Sequence, residues 1–320
     1  MPKARLLIAN GLLGALTLAI ALEVAGCGLF AEPVRIVEPA PFPRDEAEAP
    51  KEDVKAEPAM PAVGANDGLN ATLWVQTSAE YNASARQAYA LGKTQLDRAL
   101  VEKTWTAALE QESATDIADK PPAIIVDVDE TVLDNSAYQA RLIKDKATFK
   151  PDTWNAWCNE RKAQPIPGAI DFAQYAAYKG VTVFYVSNRD KEVEDATRQN
   201  LDAHGFPFKE GEDTLLTKNE KPEWNSSDKT TRRQYVAANY RIILLVGDNF
   251  GDFIGKEYKG TPAERETLAN QYKDKWGTRW IMLPNPMYGS WETALFGHDN
   301  AKPADAILKS KWDGMKLQRP

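Results

Sequence analysis

The chain has 320 residues, 43% of them hydrophobic, and its 39 basic and 46 acidic side chains leave a formal net charge of −7. This size and composition predict a soluble globular protein of one large domain with attached segments. The acidic balance argues against a nucleic-acid polymer as partner, because no basic stripe is available for a phosphate backbone. A small anionic substrate needs only a local site and stays open.

The N-terminus has the pattern of an export signal over residues 1–26. Lys3 and Arg5 form a positively charged start, and an apolar run continues to Leu22. The run is too short, and too soon followed by polar chain, for a stable membrane-spanning helix. We therefore predict a signal peptide that directs the chain into the cell envelope.

A lipid anchor is predicted at Cys27. The Val-Ala-Gly stretch before it resembles the bacterial lipoprotein box, in which the signal is cut before the cysteine and the cysteine carries lipid. Gly28 stands where an aspartate would indicate inner-membrane retention, so the resemblance to Gram-negative lipoproteins favours the outer membrane. The alternative is an ordinary cleavage site with an incidental cysteine. Cys158 is then the one remaining thiol, interpreted as a small packing residue.

A tether is predicted for residues 27–68. This stretch is rich in proline, alanine and glutamate and has no lasting hydrophobic period. Such a composition cannot bury a core and indicates disorder. About 40 flexible residues have a root-mean-square reach on the order of 35 Å. That reach would hold a domain clear of a membrane surface.

The folded domain is predicted for residues 69–320 and begins with a helical extension. Apolar positions between Leu73 and Leu100 fit one or two amphipathic helices. Ser78, Ser84 and Thr94 are the residues that could cap them. Because this segment precedes the first strand of the core, we expect it to pack against that core.

Three apolar stretches, rich in β-branched residues, predict neighbouring strands of a parallel sheet. They begin at Ile124, Val181 and Arg241. The carboxyl ends of parallel strands form the edge of an open sheet at which ligands bind. The polar residues that follow the three stretches are Asp127 and Asp129, Ser187 and Asn188, and Asp248 with Asp252.

The first of these strands suggests a catalytic pair of carboxylates. Asp127 and Asp129 are two positions apart, so both can face one pocket. Two like charges so close are unfavourable unless a cation or a proton separates them. The pattern therefore favours a nucleophilic aspartate, a neighbouring acid/base aspartate and a bound Mg²⁺. Taken alone, Asp-x-Asp is more often a turn or a calcium loop; Thr131, close behind, shifts the balance towards the catalytic interpretation, which depends on the rest of the chain.

An insertion at about residues 135–167 follows the first strand and is predicted to form a small cap over the pocket. It contains Trp154 and Trp157, which lie three apart on one helical face. Aromatic side chains there could stack on a flat substrate group. The alternative is that they only hold the cap on the body of the domain, which is our interpretation for Trp157. For Trp154 both interpretations stay open.

Basic residues begin a helix near residue 230. Lys229 lies where a cation opposes the helix dipole, which suggests that an anion holds it there. Arg232 and Arg233 are interpreted as a solvated basic face. His204 and His298 are interpreted as surface and loop residues without a catalytic role.

Five motifs follow one another along the chain: Asp-Val-Asp-Glu-Thr-Val-Leu-Asp-Asn from Asp127, Ser-Asn-Arg from Ser187, Ser-Ser-Asp-Lys up to Lys229, Gly-Asp-Asn-Phe from Gly247 and Asn-Pro-Met-Tyr-Gly-Ser-Trp-Glu from Asn285. In this order they resemble the haloacid dehalogenase-like phosphatases over residues 120–255, and more closely the class C bacterial acid phosphatases and 5′-nucleotidases over residues 70–310. The resemblance implies an α/β Rossmann-type fold with a parallel sheet, a small helical cap and an N-terminal helical extension.

The resemblance also implies a role for each of these residues. Asp127 would be the nucleophile and Asp129 the acid/base. Mg²⁺ would bind the carboxylates of Asp127 and Asp248 and the backbone carbonyl of Asp129, while Asp252 supports these ligands without binding the ion. The residues that would bind phosphate are Ser187, Asn188 and Lys229, and those that would stack on the substrate are Trp154 and Tyr288.

We therefore expect a lipid-anchored, Mg²⁺-dependent phosphatase whose substrate is a small phosphomonoester, with a nucleoside monophosphate favoured. A phosphatase for sugar or other small phosphates is one alternative. A non-catalytic, surface-tethered binding lipoprotein is another, although a binder would not need Asp129. The oligomeric state stays open, a homodimer included.

Overall fold

The computed structural model of the protein describes residues 67–318. The predicted signal peptide, Cys27 and all but the last two residues of the tether lie outside the described residues. Between residues 67 and 318, no helix has both the length and the apolar character that crossing a membrane requires.

Helices and strands alternate along most of the described chain, and short 3₁₀ turns lie between several of them. In chain order the elements are α1 Leu69–Thr77, α2 Ala79–Val101, β1 Pro122–Val126, β2 Leu133–Asp134, α3 Ser136–Lys144, α4 Pro151–Glu160, β3 Gln164–Pro165, α5 Ala169–Tyr178, β4 Thr182–Asp190, α6 Glu194–Ala203, β5 Leu215–Lys218, α7 Thr230–Asn239, β6 Arg241–Gly247, α8 Pro262–Gln271, β7 Trp280–Met282, α9 Ser290–Thr293 and α10 Ala304–Asp313.

The N-terminal extension consists of α1 and α2, which meet at Ser78. The Ser78 hydroxyl oxygen accepts a hydrogen bond from the backbone N–H of Tyr81 at 3.1 Å and so caps α2. Ser84 and Thr94 lie inside α2 and do not cap it. The buried residues of α2 recur at intervals of about four, which places them along one stripe of the helix facing the core.

The main sheet has five parallel strands in the order β5-β4-β1-β6-β7. The chain runs outward from β1 through β4 to β5, and then returns to the other side of β1 to form β6 and β7. The carboxyl ends of β1, β4 and β6 therefore lie around the point at which the chain reverses direction across the sheet. In open α/β sheets this point is where ligands bind.

Both faces of the sheet are buried, as the unbroken apolar run of β1 requires. Ile124 and Val126 join a core shared with α2 and α5, whereas Ala123 and Ile125 join a core shared with α7. Alternate residues of one strand thus feed two separate hydrophobic layers. This three-layer arrangement confirms the predicted α/β architecture.

The insertion after β1 forms a small helical cap. β2 and β3 pair antiparallel, with Leu133 beside Pro165, and they enclose α3 and α4 between them. Trp157 of α4 is buried, and its indole N–H donates to the side-chain oxygen of Asn135 at 2.8 Å. The interpretation of Trp157 as a residue that holds the cap on the domain fits this contact.

Candidate active site

The register of the three central strands brings the predicted site residues to one edge of the sheet. Val126 of β1 lies beside Tyr185 of β4 and beside Val246 of β6. On each strand, a polar residue follows one or two residues after this aligned position. Those residues are Asp127, Ser187 and Asp248.

Three carboxylates converge at this edge. One oxygen each from Asp127, Asp248 and Asp252 lies within 4.8 Å of the others. Lys229 is buried beside them and forms ion pairs with Asp127 and, at 2.7 Å, with Asp252. The Thr131 hydroxyl donates to a carboxylate oxygen of Asp248 at 3.3 Å, and it lies 3.5 Å from a carboxylate oxygen of Asp127. The cluster therefore holds three acids against one lysine.

The charge of this cluster suits a divalent cation. Burial raises the pKa of Asp127 to about 6, although the positive charge of Lys229 opposes the rise. Burial and the charges of Asp127 and Asp252 raise the pKa of Asp248 well above its ordinary value. A hard cation with oxygen ligands relieves both the burial and the mutual repulsion of such carboxylates. The residues present thus fit a metal of the Mg²⁺ type.

The hydrogen bonds of the cluster separate two roles for its acids. The oxygens of Asp252 are engaged, one with Lys229 and the other with the backbone N–H of Asn249 at 2.9 Å. Asp248 is oriented by the side-chain amide of Asn285 at 2.8 Å. Asp127 and Asp248 would therefore hold the ion, while Asp252 fixes Lys229 and the turn after β6.

Gly247 allows Asp252 to approach the end of β6. A Cβ on Gly247 would lie 2.6 Å from both Cβ and Cγ of Asp252. Real Cβ atoms are not found at that distance from other carbon atoms, so any side chain at this position would displace the carboxylate. The need for glycine here is steric and concerns the geometry of the acid cluster.

The expectation that an anion holds Lys229 agrees with its surroundings. Burial opposes its charge, yet the carboxylates of Asp127 and Asp252 raise the pKa of Lys229 above its ordinary value. Lys229 directly precedes α7, where the helix dipole disfavours a cation. The two ion pairs offset that effect and keep the ammonium group charged beside the predicted nucleophile.

The interpretation of Arg232 and Arg233 as a solvated basic face is wrong, because both side chains are buried. Arg232 donates to the backbone carbonyl of Ser187 and, at 2.7 Å, to the side-chain oxygen of Asn188. Arg233 pairs with Glu110 at 2.8 Å. Both guanidinium groups bind oxygen atoms that other elements supply. The periodicity of α7 alone does not reveal these partners.

The predicted phosphate-binding residues of β4 lie at the same edge but are partly engaged. The Ser187 hydroxyl oxygen accepts from the backbone N–H of Arg189 at 3.0 Å, and the Asn188 amide donates to the carbonyl of Ser227 at 3.1 Å. Within residues 67–318, no acceptor meets the Ser187 hydroxyl hydrogen or the second amide hydrogen of Asn188. These two hydrogens are the side-chain donors available for a phosphate oxygen.

The predicted acid/base residue has a separate set of partners. Oδ1 of Asp129 accepts hydrogen bonds from Nε of Arg189 and from the side-chain amide of Asn135, both at 2.9 Å. The Nη2 atom of Arg189 lies 2.8 Å from the same oxygen. Asp129 thus belongs to a network that joins β1, β4 and the cap, apart from the carboxylates around Lys229.

The two predicted stacking residues are half-buried and anchored at one side. Trp154 packs edge-on against Tyr138, with ring centroids 5.1 Å apart, and the guanidinium of Arg189 lies 5.6 Å from its ring. Tyr288 donates its hydroxyl hydrogen to Glu130. Both rings keep some exposed surface, so the two interpretations of Trp154, packing and stacking, are compatible.

Sequence reasoning missed Glu130 as a site residue. It is buried at a φ of 55°, a conformation that is uncommon outside glycine, asparagine and aspartate. Its carboxylate accepts from the backbone N–H of Asn135 at 2.7 Å and from Tyr288, and burial raises its pKa well above the ordinary value. The signal available in the sequence was its position directly after the predicted catalytic residue Asp129 and directly before Thr131.

The residues interpreted as inert lie away from the acid cluster. Cys158 is buried, and burial raises the pKa of its thiol to about 12, which fits a packing role. His204 contacts the backbone carbonyl of Ala163 at 3.0 Å, and His298 contacts the hydroxyl of Thr293 at 2.7 Å. Neither histidine is bonded to a residue of the site.

Comparisons with known proteins identify relatives of this chain. A class C acid phosphatase from Bacillus anthracis is 35% identical, with a TM-score of 0.70, over 80% of this chain and 99% of that one. A Bacillus anthracis class C acid phosphatase with tungstate bound is 34% identical, with a TM-score of 0.69 and the same coverage. The Stem 31 kDa glycoprotein of Glycine max is 25% identical over 168 residues, about half of this chain and 58% of that protein.

A family model matches most of the chain. The model of the HAD superfamily, subfamily IIIB (acid phosphatase), covers residues 52–291. This match and the structural similarity confirm the predicted family and its fold. The chain belongs to subfamily IIIB, the acid phosphatases, of the haloacid dehalogenase superfamily.

Proposed function

We propose that the protein is a Mg²⁺-dependent acid phosphatase that hydrolyses small phosphomonoesters through an aspartyl-phosphate. The observation that carries the proposal is the convergence of Asp127, Asp248, Asp252 and Lys229 at the carboxyl edge of the sheet, with Asp129 two residues from Asp127. A binding protein would need an anion site but not this surplus of buried carboxylate.

The first chemical step uses Asp127 and Asp129. A carboxylate oxygen of Asp127 attacks phosphorus, the bond between phosphorus and the ester oxygen breaks, and Asp129 gives a proton to the departing alcohol. In the second step Asp129 takes a proton from water, and the water oxygen bonds to the phosphorus of the aspartyl-phosphate. The bond between phosphorus and the Asp127 oxygen breaks, which restores the Asp127 carboxylate and releases inorganic phosphate. Lys229 and the donors at Ser187 and Asn188 orient the phosphoryl oxygens.

A divalent ion would be held by the side chains of Asp127 and Asp248. When bound, Mg²⁺ neutralises these carboxylates and stabilises negative charge on the transferring phosphoryl group. The bond from Asn285 keeps the Asp248 oxygen directed for such a ligand role. Tungstate bound to the Bacillus anthracis relative supports an oxyanion site in this family, since tungstate and phosphate are both tetrahedral oxyanions.

We propose further that the preferred substrate is a nucleoside monophosphate, because Trp154 and Tyr288 offer partly exposed rings beside the site. Stacking a base on an aromatic ring is worth about 1–3 kcal/mol. Replacing either ring by alanine should therefore lower kcat/KM for a nucleotide about five- to 150-fold. Glycerol phosphate has no ring to stack, so its hydrolysis should change little.

The measurement is the ratio of kcat/KM for the nucleotide to that for glycerol phosphate in Trp154→Ala and Tyr288→Ala. Tyr178→Ala is the matched control, because Tyr178 is exposed at the end of α5. Equal losses on both substrates, with a lowered Tm, would mean that the rings only pack the domain. A phosphatase for sugar or other small phosphates would then be the favoured function.

We propose that the protein is exported and lipid-anchored at Cys27, in the outer membrane of a bacterial envelope. The support is the N-terminal sequence pattern alone. Labelled fatty acid should enter the wild-type chain and Cys158→Ser, and should be absent from Cys27→Ser. Label in Cys27→Ser at the wild-type level would contradict an anchor at this residue.

A further inference from the structure

Arg189 is a fully buried cation beside the predicted acid/base residue. Its guanidinium lies against a single oxygen of Asp129, with Nε at 2.9 Å and Nη2 at 2.8 Å. The amide of Asn135 donates to this same oxygen. Three nitrogen atoms therefore converge on Oδ1 of Asp129, and no donor from residues 67–318 bonds to Oδ2.

The position of the guanidinium is fixed on every side. Nη1 donates to the hydroxyl of Thr197 at 3.0 Å, and Nη2 donates to the side-chain oxygen of Asn135 at 3.2 Å. The indole N–H of Trp157 donates to this same Asn135 oxygen at 2.8 Å. The ring of Trp154 covers the guanidinium at 5.6 Å. Contacts from helix α6 and the cap thus fix the orientation of the Arg189 side chain, which strand β4 presents.

Stability alone does not account for this arrangement. Removing an arginine and an aspartate from water is unfavourable, and a buried ion pair is often no more stabilising than apolar side chains of similar volume. A purely structural pair would also be expected to use both carboxylate oxygens, as bidentate arginine pairs do. Here every donor is directed at Oδ1, and Asp129 stays partly exposed.

We propose that Arg189, assisted by Asn135, is a positioning residue that reserves Oδ2 of Asp129 for the departing alcohol. The proposal rests on the phosphatase function proposed above. With Oδ1 engaged by N–H donors, Oδ2 is the oxygen of Asp129 that is left free to exchange a proton with the ester oxygen. The locked carboxyl group then presents Oδ2 in one direction.

The step in which this matters is the transfer of the phosphoryl group to Asp127. The new bond joins an Asp127 oxygen to phosphorus, and the bond between phosphorus and the ester oxygen breaks. Its electron pair stays on the ester oxygen, which takes the proton from Oδ2 of Asp129 and leaves as the alcohol. A leaving group that is stable as an anion does not need this proton.

The experiment compares two aromatic esters in the full-length chain. Benzyl phosphate releases an alcohol that must be protonated, whereas 2,4-dinitrophenyl phosphate releases a stable anion. General acid catalysis contributes about 10²- to 10⁴-fold. Arg189→Met should therefore lower kcat/KM for benzyl phosphate about 10- to 100-fold more than for the dinitrophenyl ester, and Asp129→Asn should do so more strongly. Because kcat/KM covers steps only up to phosphoryl transfer, hydrolysis of the intermediate does not enter.

The ratio of the two kcat/KM values is unaffected by how much of a sample is folded, since both substrates report on the same active fraction. Arg241→Met is the matched control: Arg241 is buried but donates to backbone carbonyls of Ala99, Glu102 and Trp105. Its ratio should equal that of the wild type. If Arg189→Met yields no folded protein, Asn135→Ala and Arg189→Lys carry the same test, because each removes donors from Oδ1.

Equal loss on both esters in the Arg189 and Asn135 variants would overturn the inference while the phosphatase function stands. A wild-type chain that hydrolyses neither ester would overturn the proposed function and this inference with it. A changed ratio in Arg241→Met as large as in Arg189→Met would also overturn it, because loss of any buried arginine would then produce the effect.

Discussion

Asp127→Asn is expected to lower phosphomonoester turnover by at least about four orders of magnitude, on the scale seen when other enzymes lose their nucleophile. Asparagine keeps the size of the side chain but provides a poor nucleophile. It also removes one partner of Lys229, which is buried and keeps only its ion pair with Asp252. The measurement is phosphate release under conditions that saturate the wild-type protein with substrate.

The matched control for this variant is Asp119→Asn. Asp119 is exposed, three residues before the amino end of β1, and therefore lies at the opposite edge of the sheet from Asp127. It should retain wild-type turnover. If Asp127→Asn also retained turnover, another residue would have to be the nucleophile and the proposed mechanism would be wrong.

Removal of divalent cations is expected to have the next largest effect. Three carboxylates around one lysine leave an excess of negative charge at the place where an anionic substrate must bind. A metal ion in such a site supplies several kcal/mol of charge stabilisation, so chelation should lower turnover by about 10²- to 10³-fold. Added Mg²⁺ should restore it.

Binding of the ion can be measured without substrate. An ion that binds the folded chain raises its Tm, because the unfolded chain lacks the assembled carboxylates. Mg²⁺ should therefore raise the Tm of the wild-type protein and of Asp119→Asn but not that of Asp248→Ala. Turnover and Tm that are both insensitive to chelation would contradict a metal-dependent mechanism.

The strands and the acid cluster were predictable because they follow from local patterns. An apolar run such as Ile124-Ile125-Val126 predicts a buried strand, and parallel strands align their carboxyl ends. Once three such strands end in polar residues, the meeting of Asp127 with Asp248 follows from the sheet alone.

The network around Asp129 was not predictable in the same way. Arg189 follows Asn188 on β4, but its partners come from β1, the cap and α6. Which cation lies next to which acid depends on how these elements pack, and no spacing along the chain records it. The buried arginines of α7 were misinterpreted for the same reason, since a basic stretch at a helix start is more often solvated.

An aspartyl-phosphate at Asp127 can be trapped directly. The protein is mixed with a phosphomonoester and Mg²⁺, quenched in acid within one turnover, digested and examined by mass spectrometry. A phosphoryl group is expected on the peptide that contains Asp127, located at that residue, and none is expected in Asp127→Asn. Phosphate release by the wild-type chain with the phosphoryl group on a different residue would contradict this expectation.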